Sequence, residues 1–448
     1  MRNTTKWFQG AVSAGIVVVL VVGVLFTLWR RPVSSPTGQE NPTPAAQVQA
    51  PEQIAGAPPT LTPHIVVVSP LPSPPPFPTP LPTPVVTRMP VAAPPFVAVP
   101  AGEANRPYTI FFRDGNLIKT IDTVDSAEKS IVDIRAKTSL FLGSRESSAG
   151  LWGAISPDGQ RLALVLTDFA TADEARQTIH AGPAKGQQFR IYLLDLTTGE
   201  LRLLVENARR PVWSPDGGRL AFQNTKTWGL GVVDLATGAA EEIFSVEAGS
   251  EHQADWFTWS PDGKRMAVVK TWGGIANSGG IWIVEVEKGA EARQIVDMGM
   301  NAVLLEWSPD GAEILFLSDR GDRSTPERPT NIWSVNVETG AEQQLTKDIS
   351  ASAGVPVWSP DSKWIAFAGT NMLEAKEYYQ YDLWLLSSNG NMLIRLTDDP
   401  ITDLNPTWTP SGAGLVFNKE EQGLWELDLI SGATKQLVPK ITSYWFLH

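Results

Sequence analysis

Short apolar runs separated by polar turns fill the chain from residue 108 onward and recur at an interval close to fifty residues. Each interval keeps the same order. One run follows a turn and reads Leu162-Ala-Leu, Leu220-Ala-Phe, Met266-Ala-Val, Ile314-Leu-Phe, Ile365-Ala-Phe and Leu415-Val-Phe. The next reads Ile191-Tyr-Leu-Leu-Asp-Leu, Leu230-Gly-Val-Val-Asp-Leu, Ile281-Trp-Ile-Val-Glu-Val, Ile332-Trp-Ser-Val-Asn-Val, Leu383-Trp-Leu-Leu-Ser and Leu424-Trp-Glu-Leu-Asp-Leu. Each of these closes in a turn glycine, and a further short run ends near Leu203, Ile243, Ile295, Leu345, Leu396 and Leu437. Runs this short, bounded by Gly and Pro, predict strands rather than helices.

Between the units one motif recurs six times: Ile155-Ser-Pro-Asp-Gly159, Trp213-Ser-Pro-Asp-Gly217, Trp259-Ser-Pro-Asp-Gly263, Trp307-Ser-Pro-Asp-Gly311, Trp358-Ser-Pro-Asp-Ser362 and Trp408-Thr-Pro-Ser-Gly412. Successive copies lie 58, 46, 48, 51 and 50 residues apart. Proline presets φ at the second turn position and glycine relieves strain at the fourth, so the motif is a β-turn. The Trp before it ends one strand and brings a large apolar surface. The unit is therefore four antiparallel strands, A to D, with the Trp closing A.

Four-stranded units at this spacing predict an all-β fold, a β-propeller, which protects its strand edges by radial repetition. Six motifs alone give six blades, and that remains the alternative. The ends predict a seventh. The segment 108–121 resembles strands B and C without a strand A, residues 129–134 supply D, and residues 443–448 resemble a strand A without its turn. Joined, they form one split closing blade. At the Trp-Ser-Pro-Asp-Gly repeats the chain resembles the TolB-like, WD-repeat-related propellers over residues 108–448. That resemblance implies the fold. It does not fix an activity, because such blades serve translocation proteins and peptidase regulatory domains alike.

The first quarter of the chain follows other rules. Residues 11–28 are uncharged and apolar, and Trp7, Phe8 and Trp29 extend the run. This predicts one membrane-spanning helix within residues 1–31, amino terminus inside, rather than a cleaved leader with its shorter apolar region. Residues 32–106 predict a Pro-rich disordered linker: 22 of the 36 prolines lie in 32–107, whereas 15 of the 17 tryptophans lie at or after Trp152. Repeated proline withholds the amide donors that helices and central strands need. At ~3.1 Å per residue the fully extended linker reaches roughly 230 Å. Residues 107–448 form the propeller. The protein is then membrane-bound by its helix, with the ring on the extracytoplasmic side of a bacterial envelope.

Charge and cysteine narrow the function. Residues 107–448 carry 30 Lys/Arg against 45 Asp/Glu, a net of −15, which disfavours nucleic acid as a partner. The chain has no Cys, which excludes disulfides, thiolate zinc sites and a cysteine nucleophile. No Gly-x-Ser-x-Gly elbow or phosphate-binding loop stands in context, so no catalytic residue, cofactor or metal is assigned. The motif aspartates read as turn residues. His252 with Asp255 offers two metal ligands where zinc needs three or four. His180 and His448 stand apart.

The D–A and B–C connections share one face, and the varied loops there are where specificity belongs. They bring Arg320, Arg323 and Arg328 in one loop, Tyr378, Tyr379 and Tyr381 in another, and Asp398, Asp399 and Asp403 in a third. Arg and Tyr suit a protein or envelope-polymer interface. The expected function is a tethered binding or scaffold module rather than an enzyme. The alternatives are a propeller hydrolase or lyase using carboxylates on that face, and an accessory part of an envelope transport system.

Overall fold

The computed structural model describes residues 85–88 and 108–446, apart from 115–116, 124–125, 139–140, 143–152, 168–187, 248–251, 273–276, 288–290, 298–301, 320–329, 348, 352–353, 372–379 and 440–442. Strands dominate, grouped into seven antiparallel sheets. Blade 1 orders Ser443–Phe446, Thr109–Asp114, Leu117–Asp122 and Glu128–Asp133 as A to D. Blade 2 has a two-piece A strand (Phe141–Leu142 and Gly153–Ile155), then Arg161–Thr167, Phe189–Asp195 and Leu201–Glu206. Blade 3 runs Ala208–Trp213, Arg219–Asn224, Leu230–Asp234 and Ala240–Phe244, and blade 4 runs His252–Trp259, Arg265–Trp272, Asn277–Glu285 and Arg293–Val296. Blade 5 is Ala302–Trp307, Glu313–Ser318, Asn331–Asn336 and Glu342–Gln344. Blade 6 begins with Ile349–Ser350 and Val357–Trp358 as strand A, followed by Trp364–Asn371, Asp382–Ser387 and Met392–Arg395. Blade 7 is Asp403–Trp408, Gly414–Lys419, Gly423–Asp428 and Thr434–Val438.

The split closing blade is present: Ile110 pairs with Phe446, and Phe112 with Tyr444, across more than three hundred residues. Seven apolar cores, one between each pair of neighbouring blades, close the ring. At the closure, Ile110, Phe112 and Ile121 of blade 1 pack on Val416, Leu424 and Leu437 of blade 7, and the Tyr108 hydroxyl donates to Glu426 Oε1 at 3.0 Å. Seven blades, not six, is the result.

The repeat motif explains how blades hold each other. In blades 3, 4 and 7 the motif Trp donates its indole N–H to the carbonyl at the end of strand A in the preceding blade, from Trp213 to Ala154 (2.8 Å), Trp259 to Val212 (3.1 Å) and Trp408 to Val357 (3.1 Å). The arginine two residues past the turn reaches forward. Arg161 stacks over Trp213 at 5.1 Å, Arg219 over Trp259 at 5.0 Å and Arg265 over Trp307 at 5.5 Å. Arg161 and Arg219 also donate to the next turn's glycine carbonyl at 3.1 and 2.6 Å. Gly217 sits at φ +68°, and a Cβ there would touch Pro157 of the preceding turn at 3.6 Å. The motif aspartates are turn residues: in blade 3, Asp216 Oδ1 accepts from the Ser214 hydroxyl at 2.6 Å and from the Gly218 amide at 3.0 Å.

One stretch departs from the linker expectation. Val85–Arg88 pairs in parallel with Met392–Arg395, adding a strand to the outer edge of blade 6. The physical reason is local: Val85-Val-Thr-Arg88 is a proline-free, β-branched run with Pro84 before it and Pro90 soon after, which fits an edge strand and nothing longer. The predicted spanning segment, 11–28, and the rest of the linker lie outside the described residues. No helix among the described residues is long and apolar enough to cross a membrane.

Candidate functional site

Strands B and D end, and strands A and C begin, at the varied face. Apart from Ser334, every buried polar side chain among the described residues that lies outside the turn motif sits at that end. Thr167, Gln223, Thr271, Ser318, Thr370 and Lys419 close strand B in successive blades. Burying a polar group costs stability unless it is paired, so this layer carries a cost that apolar side chains would not.

Two charged clusters interrupt the layer. The first lies between blades 3 and 4. A bulge in strand A breaks the register between Arg209 and Val212 and puts Arg210 at φ 56°. The Arg210 guanidinium meets Asp255 Oδ1 at 2.8 Å and lies over the Trp256 ring at 4.5 Å. Beside it, Arg209 donates through Nε to Gln223 Oε1 and stacks over Trp228 at 5.2 Å. Gln223 is itself fixed, donating to the Ala254 carbonyl at 2.6 Å. Burial pulls both arginines below their usual pKa, Arg209 to about 10, with the neighbouring Arg210 charge adding to the effect.

The second cluster lies between blades 6 and 7, across the ring axis from the first. Asp382 opens strand C of blade 6 and pairs with Arg395 at 2.6 Å. Asp403 opens strand A of blade 7, fully buried, its amide donating to the Tyr381 carbonyl at 2.8 Å. Lys419 pairs with Asp403 at 3.4 Å and also with Asp399. Burial raises Asp382 to about 6 despite Arg395 and raises Asp403 as well. Asp382 Oδ1 and Asp403 Oδ2 are buried without a hydrogen-bond partner.

A third charge stands alone. The residue before the first motif position (Ile155 in blade 2, Trp in the others) is Ala154, Val212, Thr258, Glu306, Val357 and Thr407 in blades 2 to 7, each half-buried on strand A. Glu306 is the only ionisable group of this set, and desolvation lifts its pKa to about 7.

Of the residues singled out by sequence, Arg320, Arg323, Arg328, Tyr378 and Tyr379 lie outside the described residues. Tyr381 is half-buried at the foot of its loop. His252 and Asp255 do not act together: His252 Nδ1 lies 3.3 Å from Glu247, which also holds Lys270 at 2.8 Å, while Asp255 pairs with Arg210. Asp399 and Asp403 do converge, on Lys419, and Asp398 acts on Asp382 through its field. No group of three or more His, Asp or Glu among the described residues is placed to hold a metal. Sequence reading missed Arg209, Arg210, Gln223, Glu306, Asp382, Arg395 and Lys419. Two adjacent arginines and a lone glutamate just before a motif Trp, inside strands that should be apolar, were the available signal.

No family model matches the chain. The Tol-Pal system protein TolB of Anaeromyxobacter dehalogenans is 33% identical over 131 residues, 29% of this chain and 27% of that protein. The match thus spans about a quarter of that relative's length. An uncharacterized protein of Agrobacterium fabrum is 24% identical over 253 residues, covering 54% of this chain and 78% of its own. Among solved structures, an oligogalacturonate lyase in complex with manganese matches with a TM-score of 0.52 at 14% identity, over 74% of this chain and 85% of that one, which is a likeness of fold. With seven four-stranded blades, the Trp-turn repeat and the TolB relative all in agreement, residues 108–446 form a TolB-like β-propeller.

Proposed function

We propose that the protein is a membrane-tethered binding module of the bacterial envelope. On this reading residues 1–31 anchor it, residues 32–106 carry the ring away from the bilayer, and the ring engages a protein or envelope polymer through its varied face. The observation that supports this is the layer of buried polar groups beneath that face, split into a cationic cluster at blades 3 and 4 and an anionic one at blades 6 and 7. Among the described residues nothing comparable lies at the turn face, whose polar groups are engaged in their own turns and in the neighbouring blade. The Tol-Pal name of a relative supports an envelope location and a protein partner, and it keeps a transport accessory role within the same proposal. We read the protein as a non-enzyme, with the buried carboxylates of blades 6 and 7 each held by a basic partner, Arg395 or Lys419.

Two measurements test this. Protease added to spheroplasts cuts the ring if it lies outside the membrane and leaves it whole if it lies inside, which would overturn the topology. Full-length protein in detergent, cross-linked in its native membrane, yields a defined partner. That cross-link is lost when Tyr381 is replaced and kept when the turn-face Glu338 is replaced by Gln. Equal loss from both faces refutes the assignment of the varied face.

A further inference from the structure

We infer that Arg209 and Arg210 form a preorganised receptor for a single carboxylate group, carried by the ligand that the varied face engages; this rests on the binding-module reading. Charge provides the first reason. Two buried guanidinium groups share one carboxylate, Asp255, which Arg210 holds. Among the described residues, Arg209 is paired only with a neutral amide and the face of an indole. Among the described residues one buried positive charge is therefore left without a counter-ion, an arrangement that is costly unless an anion completes it.

Geometry provides the second reason. Gln223 is buried and pinned to the Ala254 carbonyl, and it takes up the Arg209 Nε. Trp228 forms the floor, and its own carbonyl accepts from the Ala254 amide at 2.8 Å, tying that loop to strand A of blade 4. With Nε engaged and the ring plane fixed by stacking, the terminal nitrogens of Arg209 present a planar fork, which matches a carboxylate in bidentate fashion.

The wider field sets the kind of anion. The body carries −15, so a polyanion is repelled, whereas one carboxylate on an otherwise neutral segment neutralises one excess charge. A phosphate, with its second charge, exceeds what the pair leaves uncompensated.

The probes are acetyl-Gly-Ser-Phe with a free carboxyl terminus, acetyl-Gly-Glu-Gly-amide, its neutral Gln counterpart, and inorganic phosphate. Full-length protein labelled with 15N-arginine is titrated in detergent, and the Arg209 Nε–H resonance is assigned by its loss in Arg209→Lys. The expected result is a saturable shift with one or both carboxylate peptides and none with the amide. Which peptide shifts it tells a terminal carboxylate from a side-chain one. Gln223→Leu, which releases the fork while keeping both arginines, raises the apparent Kd by roughly fivefold or more. An equal shift with the neutral peptide, a response to phosphate alone, no saturation by about 20 mM, or an unchanged Kd in Gln223→Leu overturns the inference. If the partner cross-link survives Arg209→Lys and Gln223→Leu while the Tyr381 replacement abolishes it, the binding-module reading stands and the carboxylate receptor falls.

Discussion

Glu306 offers the most quantitative test of the ring's interior. It holds the strand A position in blade 5 that Val212, Thr258, Val357 and Thr407 hold in blades 3, 4, 6 and 7, and burial raises its pKa from 4.5 to about 7. A raised folded-state value means that the folded chain holds the proton more tightly than the unfolded chain. The stabilisation is complete below about pH 4.5 and is lost as pH rises through about 7. At 1.36 kcal/mol per pKa unit the full difference is about 3 kcal/mol; because Glu306 is half-buried, solvent screening brings the expectation to about 1.5–3 kcal/mol. Glu306→Gln keeps the shape and removes the charge. Its stability relative to wild type should be near zero difference at pH 4.5 and should rise to about 1.5–3 kcal/mol in favour of the variant at pH 8. With about 2.1 cal/mol/K of unfolding entropy per residue over roughly 340 residues, that is a gain of about 2–4 °C in Tm. Scanning calorimetry of the two proteins between pH 4.5 and 8 gives the difference directly. Taking the difference cancels the turn aspartates, whose pKa values are lowered by their hydrogen bonds and whose stabilisation is lost as pH falls. A difference that is flat with pH, or that favours wild type at pH 8, refutes the assignment of a desolvated carboxylate to Glu306.

Three further outcomes follow from the contacts. Arg219→Ala removes the stack on Trp259 and the bond to the Gly263 carbonyl, and should cost about 1–2 kcal/mol in denaturant unfolding without changing partner binding. Tyr444→Pro removes an amide from the strand that closes blade 1, and should broaden the thermal transition and speed hydrogen exchange at Ile110 and Phe112 while exchange in blade 4 is little changed. Arg395→Leu strips Asp382 of its buried partner and should cost about 3 kcal/mol at pH 8, but markedly less at pH 5, where Asp382, already raised to about 6, takes up a proton.

The fold was legible because the ring is held by a local signal repeated six times. Trp, Ser, Pro, Asp and Gly each have a conformational reason to occur at the turn, and the two unpaired ends show which strands the missing blade must supply. The inter-blade contacts were less visible. Arg161, Arg219 and Arg265 recur at one motif offset, but the side chains that replace them in later blades, Glu313, Trp364 and Gly414, dilute the pattern. Blade 3 departs differently: the strand C position that holds Trp333, Trp384 and Trp425 opposite a strand B Phe in blades 5 to 7 is Gly231, where a Cβ would lie 2.5 Å from the facing Phe222 ring. The charged clusters were the least legible. Asp403 and Lys419 are cross-strand partners whose meeting depends on register, and Arg210 meets Asp255 only because a bulge turns strand A outward at the boundary between blades. Such encounters leave no fixed spacing in the chain.

The same contacts bear on where the molecule can acquire function. At the turn face each motif residue serves the neighbouring blade: the Trp reaches back, the Arg and Pro reach forward, and the Gly leaves room for the Pro. A substitution there disturbs a blade interface before it can touch a ligand, so the cost of novelty is paid in ring stability. At the other face the strands have already completed their pairing, and the connecting segments range from the short link at residue 207 to the stretch 168–188. Bulges at the starts of strands A in blades 3, 4, 5 and 7 release a residue from the ladder in each case. A released residue can carry charge without breaking an apolar core, which is where Arg210, Asp255 and Asn405 sit. The opposition of a cationic cluster at blades 3 and 4 to an anionic one at blades 6 and 7 is then a property of the bulged, inner ends of the blades. On the proposed binding-module reading, this gives the varied face a polarity across the axis that would orient a ligand as well as hold it.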